Sequence, residues 1–153
     1  MTSKQALKIQ ILEQLKLALA QKIAESENAI ASAKESRDSE SKSSAGDKYE
    51  TGRAMMQIEL QNQEIQLNKA LQLKNELHLI NLQQAYEKAV LGSLVLTNRE
   101  HYFISIGLGK IEVDGHPYYA ISLASPIGML LKDQQAGQTI SFQGREITIR
   151  EIH

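Results

Sequence analysis

Cysteine and tryptophan are absent from this 153-residue chain, proline occurs twice, and 17 basic residues stand against 18 acidic ones. Without thiols there is no disulfide framework, thiolate metal site or cysteine nucleophile, which sets aside small secreted scaffolds and fits a reducing compartment. A net charge of −1 excludes a protein that coats nucleic acid, because neutralising phosphates takes a concentrated excess of Lys and Arg. Long apolar runs are also missing. The stretch from Met1 to Lys8 has no apolar signal core, and no segment approaches the roughly 18 apolar residues of a membrane span. The expectation is a soluble, cytoplasmic protein with no membrane contact, built as one medium domain or two small units.

What glycine, proline and aromatic content there is lies unevenly. Seven of nine glycines and both prolines follow residue 91, and five of seven aromatics follow residue 100. Residues 1–90 are instead rich in Leu, Ile, Ala, Gln, Lys and Glu, which lose little entropy in a helix. The change of composition predicts a helical region over 1–88 and a region of strands and turns over 89–153. Neither half is a nucleic-acid coat: residues 1–88 hold twelve basic and twelve acidic groups, and the remainder holds five and six.

In the first region Ile9, Leu12, Leu19, Ile23, Ile30 and Ala33 recur at steps of three and four, interrupted by Lys16 and Ser26. A second series runs through Met56, Leu60, Leu67, Ala70 and Leu77, interrupted by Gln63 and Lys74. These are coiled-coil seams. They predict helices over about Ser3–Glu35 and Lys48–Glu87, too long to be stable in water unless each covers the other. Between them a serine-rich stretch from Ser36 to Asp47 has no large apolar residue, so the chain turns there, with a tip at about 37–48. Asp38, Glu40, Lys42, Asp47, Lys48, Tyr49, Glu50 and Arg53 crowd this end. Asp47 and Glu50 have the spacing of a capping box, a duty that explains both, whereas Asp38 and Glu40 have no such duty.

From Val90 the apolar period becomes two. Leu94–Leu96, Tyr102–Ile106, Lys110–Val113, Tyr118–Ser122, Thr139–Phe142 and Ile147–Ile149 predict short antiparallel strands. Asp114-Gly115 and Gln143-Gly144 mark hairpin turns. Ser125 as N-cap and Pro126 at the first helical position open one short helix, with Ile127, Leu130 and Leu131 facing the sheet. The fold class is therefore α+β: an antiparallel helical hairpin followed by a small sheet domain with one helix. That domain is expected to gain from docking on Leu77, Ile80, Leu82 and Tyr86.

This order of elements, with Ser125-Pro126-Ile127-Gly128-Met129-Leu130-Leu131, Gly137-Gln138-Thr139-Ile140 and Gly144-Arg145-Glu146-Ile147-Thr148-Ile149, resembles the bacterial Gre transcription elongation factors. The resemblance covers nearly the whole chain in architecture and about the last 30 residues in sequence, with Lys132 where the family often has glycine. It implies an FKBP-like C-terminal domain without isomerase chemistry, docked at the RNA polymerase secondary channel through a surface around Ser125, Pro126 and Ile127, while the coiled coil enters the channel. In that family an Asp and a Glu at the tip help hold a second Mg²⁺ at the polymerase centre, which hydrolyses backtracked RNA. Anchored on Tyr49, the family's tip pattern places Lys42 and Ala45 at the acidic positions, so only the tyrosine matches. A shifted register offers Asp38, Glu40, Asp47 or Glu50 instead, with Asp47 and Glu50 as sharers of the polymerase's Mg²⁺ and Arg53 beside them. The chain is expected to hold no metal or cofactor of its own, to act as a monomer, and to meet transcript RNA and DNA only through the polymerase.

Other chemistries find little footing. His78, His101, His116 and His153 have no ligand spacing. Gly107-Leu108-Gly109 lacks the rest of a phosphate-binding fingerprint, and Ser122 and Ser125 lie in no nucleophile elbow. No enzyme with its own active centre is expected. Two rival readings stand beside the resemblance: a non-cleaving secondary-channel regulator, and a coiled-coil adaptor whose sheet domain binds a protein. A prolyl isomerase is the third, its pocket built from Tyr102, Phe103, Tyr118, Tyr119 and Phe142.

Overall fold

The computed structural model describes residues 3–41 and 46–153, with side chains for 3–39 and 50–153. Two helices come first, α1 (Ser3–Ser41) and α2 (Gly46–Leu77), and form a helical hairpin. Six strands follow, β1 (Leu94–Thr97), β2 (His101–Ile104), β3 (Gly109–Val113), β4 (His116–Ile121), β5 (Thr139–Phe142) and β6 (Arg145–Ile152), with α3 (Pro126–Leu131) between β4 and β5. The class is α+β. Two compact units result, one of Ala18–Lys74 and one of Met1–Leu17 with Asn75–His153. Among the described residues no helix is long and apolar enough to cross a membrane.

Inside the hairpin unit the buried residues, among those described, are Leu19, Ser26 and Ala33 of α1 with Leu60 and Ala70 of α2. Serine and alanine at the seam leave little apolar area there, so the pairing rests on few large side chains. Leu73, half-buried, takes the inward place where the sequence reading set Lys74, which is exposed; Gln63 does stay half-buried in the seam. In the other unit Leu15 is fully buried and Lys16 exposed, so the stripe of α1 steps from Leu12 to Leu15 to Leu19 without the interruption read at Lys16.

The second helix stops ten residues before the expected Glu87. Its end tightens through 3₁₀-type bonds from His78, Leu79 and Ile80 N–H to the carbonyls of Asn75, Glu76 and Leu77. Asn81 then accepts from Gln83 N–H through its side chain at 3.0 Å, a local turn that competes with continuing helix. Leu77 is buried, and Ile80 and Tyr86 lie close to Gly92.

The sheet has the order β3-β4-β2-β1-β6-β5. All pairs are antiparallel except β2 with β4, where Tyr102, Phe103 and Ile104 lie beside Tyr119, Ala120 and Ile121 in parallel. The expected all-antiparallel sheet is therefore mixed: β3 folds back on β4 as a hairpin, and that hairpin crosses over to place β4 next to β2. Both hairpin turns form as read. Asp114-Gly115 and Gln143-Gly144 have φ of 52 and 77, and 52 and 76 degrees, the paired positive values of a type I′ turn.

β1 is the centre, buried at all four residues. One face carries Val95, Tyr102, Ile104, Ile140, Ile147 and Ile149 against Ile127 and Leu131 of α3. Of the helix face read as Ile127, Leu130 and Leu131, Leu130 is 41% exposed and does not join that core. α3 sits so close to the chain before it that a Cβ on Gly128 would lie 2.0 Å from the Ser122 carbonyl oxygen. Gly128→Ala should therefore lower the stability of this unit by about 2–3 kcal/mol in urea unfolding. Gly107→Ala, where a Cβ meets nothing within 4 Å, should change it by less than about 0.5 kcal/mol.

Candidate functional site

At the end of α1, Arg37 ties the hairpin together: Nη1 donates to Gln57 Oε1 of α2 at 3.1 Å, and Nε lies 3.5 Å from Asp38 Oδ1. The Asp38 side chain is 64% exposed, so this ion pair contributes less than about 1 kcal/mol and leaves the carboxylate open to solvent. On α2, Glu50 and Arg53 are exposed and stand three residues apart, neighbours on one helix face. Residues 42–45 and the side chains of Glu40, Asp47 and Tyr49 lie outside the described residues. The capping reading changes in one respect: α2 already includes Gly46, so Asp47 falls within the first turn rather than before it. An acid there still complements the helix dipole.

Carboxylate oxygens suit Mg²⁺, and Asp38 and Glu50 are the two tip acids described with their side chains. Among the described residues no three His, Asp or Glu side chains converge on a metal position.

The residues read as a docking surface divide by duty. Ser125 caps α3, its Oγ accepting from Gly128 N–H at 3.1 Å and donating to the Ser122 carbonyl at 2.7 Å. Ile127 is buried in the core. Pro126 is exposed, as are Met129 at 62% and Leu130 at 41%, so the outward face of α3 is apolar.

No known family model matches the chain, and no curated protein matches it.

Each histidine has a local setting. His101 Nδ1 accepts from Thr97 N–H at 3.2 Å, and burial holds its pKa below the usual histidine value. His116 Nδ1 lies 3.0 Å from the Asp114 carbonyl, His153 pairs with Glu151 at 3.3 Å, and His78 follows the end of α2. Glu100 and Arg145 form a two-pronged ion pair at 3.1 and 3.4 Å, joining the start of β2 to β6. Burial raises the Glu100 carboxyl, but hydrogen bonding and charge from Arg145 outweigh it and hold the group below its ordinary range. Tyr102 is pushed up to about 12 by burial and by the Glu100 charge.

The sequence reading missed Lys8. It stands seven residues before Leu15 and so lies on the inward stripe of α1, a signal that the apolar series alone passes over. It is 1% exposed. Its Nζ donates to the main-chain oxygen of His153 at 3.3 Å and sits 4.9 Å from the centre of the Tyr86 ring, a cation–π contact. Burial lowers its pKa to about 8.

A base whose folded pKa is depressed binds fewer protons in the native state than in the unfolded one between the two values, so stability rises with pH there. Between pH 7.5 and 9.5 the unfolding free energy should increase by about 2 kcal/mol from Lys8. Above pH 10 the raised Tyr102 acts in the opposite direction, so the window closes there. Urea midpoints taken at both pH values should show the increase in the natural chain and lose it in Lys8→Met.

Proposed function

We propose that this protein is a Gre-like transcription factor that binds bacterial RNA polymerase and places the turn of its helical hairpin in the secondary channel, where it modulates elongation. The observation that carries this reading is the hairpin of 18–74, zipped by a narrow seam and ending in exposed Asp38, Glu50 and Arg53. A seam needs no such groups for its own stability, and exposed acids are what a polymerase-bound cation would meet. The resemblance of the segment from Ser125 to Ile149 to the Gre signature supports the same reading, and the apolar outer face of α3 offers the docking contact through Pro126, Met129 and Leu130. The factor acts from the cytoplasm and reaches RNA and DNA through the polymerase, stimulating cleavage of backtracked transcript if its acids share the polymerase's Mg²⁺.

A second reading, an adaptor working through its coiled coil, is favoured by Met55, Ile58 and Ile65, which are 60%, 58% and 51% exposed on α2. Apolar groups at that spacing suit another helix.

The polymerase reading expects the protein to be captured with bacterial RNA polymerase and to sediment as a monomer. On a stalled, backtracked complex, Asp38→Ala with Glu40→Ala should abolish its effect on transcript cleavage or pausing while leaving the melting temperature unchanged. Asp47→Ala with Glu50→Ala should lower stability by about 0.5–1 kcal/mol through the lost helix-terminus charge. Absence of polymerase binding would sink the reading. Binding without cleavage selects a non-cleaving channel regulator, and an obligate dimer that buries the tip selects the adaptor.

A further inference from the structure

Beside Lys8 lies a cavity of about 170 Å³, lined by Lys4 and Gln5 of α1, Gln84 and Tyr86 of the segment before β1, and Ile152 and His153 at the end of β6. All of these belong to one compact unit. We propose that this cavity is a binding site for a small carboxylate, with Lys8 as its counter-ion and the Tyr86 ring and Ile152 as the bed for its apolar body.

Three observations lead there. Lys8 is a charged side chain buried to 1% exposure, and among the described residues no Asp or Glu side chain pairs with it. Its partners are the His153 main-chain oxygen and the Tyr86 ring; burying an ammonium without an acidic side chain beside it costs several kcal/mol, so a chain that retains one there has reason to meet an anion. Second, the lining carries two lysines and no acidic side chain. The one main-chain acceptor, His153 O, is shared with Leu94 N–H at 2.8 Å. Counted as an amide oxygen it leaves two lysines against no negative charge, and counted as a carboxylate oxygen it leaves two against one. Third, the space is large enough for a small acid. A cavity of about 150 Å³ holds a benzene-sized molecule, so about 170 Å³ admits an acid of about six heavy atoms.

The groups facing Lys8 are Lys4 from its own helix, Tyr86 from the segment before β1, and His153 with its partner Glu151 from β6. With Lys8 titrating near pH 8, binding should weaken at least about tenfold between pH 7.5 and 9.5. The site is independent of the polymerase reading.

The test uses the full chain and NMR titration at constant ionic strength with sodium butyrate, sodium chloride and butyramide. Butyrate should bind at least tenfold more tightly than chloride or butyramide and lose at least tenfold in Lys8→Met, whose apolar side chain fills the same space. The carboxylate can arrive on a free acid or on an acidic side chain of another protein. N-acetylglutamic acid N-methylamide stands for the second source, and whichever of it and butyrate binds more tightly assigns the source. Butyrate binding no tighter than chloride or butyramide overturns the proposal, as does undiminished binding to a folded Lys8→Met. Should that variant not fold, the pH series on the natural chain decides, and affinity unchanged from pH 7.5 to 9.5 overturns the proposal equally.

Discussion

β1 is buried at every one of its four residues, and covering it on both faces is the constraint on which the sheet-bearing unit depends. Its neighbours β2 and β6 satisfy its backbone, with Leu94 and Val95 registered on Phe103 and Tyr102 and Val95 on Ile152. Burying Val, Leu or Ile is worth about 1.5–3 kcal/mol each, which no single added layer supplies for both faces of a small sheet. α3 supplies one layer through Ile127 and Leu131. The same unit includes the first residues of α1, where Lys8, Ile11, Leu12 and Leu15 are all buried. Lys8 is the cost of that arrangement, an ammonium held between a tyrosine ring and the end of β6. A structural role alone is served at least as well by an apolar residue of similar volume, which is why the adjoining cavity draws a chemical explanation.

The hairpin unit runs on a different balance. Ser26, Ala33 and Ala70 are small, and among the described residues Leu60 is its one large buried side chain on α2. Such a seam lets helices lie close but buries little area, so Arg37 reaching Gln57 across the pair adds register rather than much energy. At this end of the pair Asp38, Glu50 and Arg53 are exposed rather than packed in the seam. That separation of seam and turn is what the polymerase reading uses.

Much of this was legible from residues. The hairpin, the six strand segments, the two type I′ turns and the Ser125-Pro126 helix start follow from local chemistry: period, positive φ and capping geometry each act within a few residues. The misplaced features involve distant partners. Nothing near Tyr102 or Tyr119 says that β2 and β4 run parallel, because the β3–β4 hairpin can lie against either edge until the faces are covered. The early end of α2 is the exception, set by a local turn at Asn81 that competes with continuing helix. Lys8 drew no reading because lysine is rarely buried, and Leu130 looked inward because a six-residue helix has too few turns to fix its phase.

Of the site, the charge at the turn and the duties of Ser125 were apparent, since a polar stretch without apolar residues and a cap before proline are local signals. By itself the sequence determined which segments are helix, strand and turn, apart from the stretch after Leu77, because those preferences are settled between residues a few positions apart. The tertiary structure alone decided which strand lies beside which, that Leu130 faces outward and that Lys8 is buried next to a cavity. Those outcomes depend on which surfaces remain uncovered once the elements meet, and no short stretch of sequence contains that information.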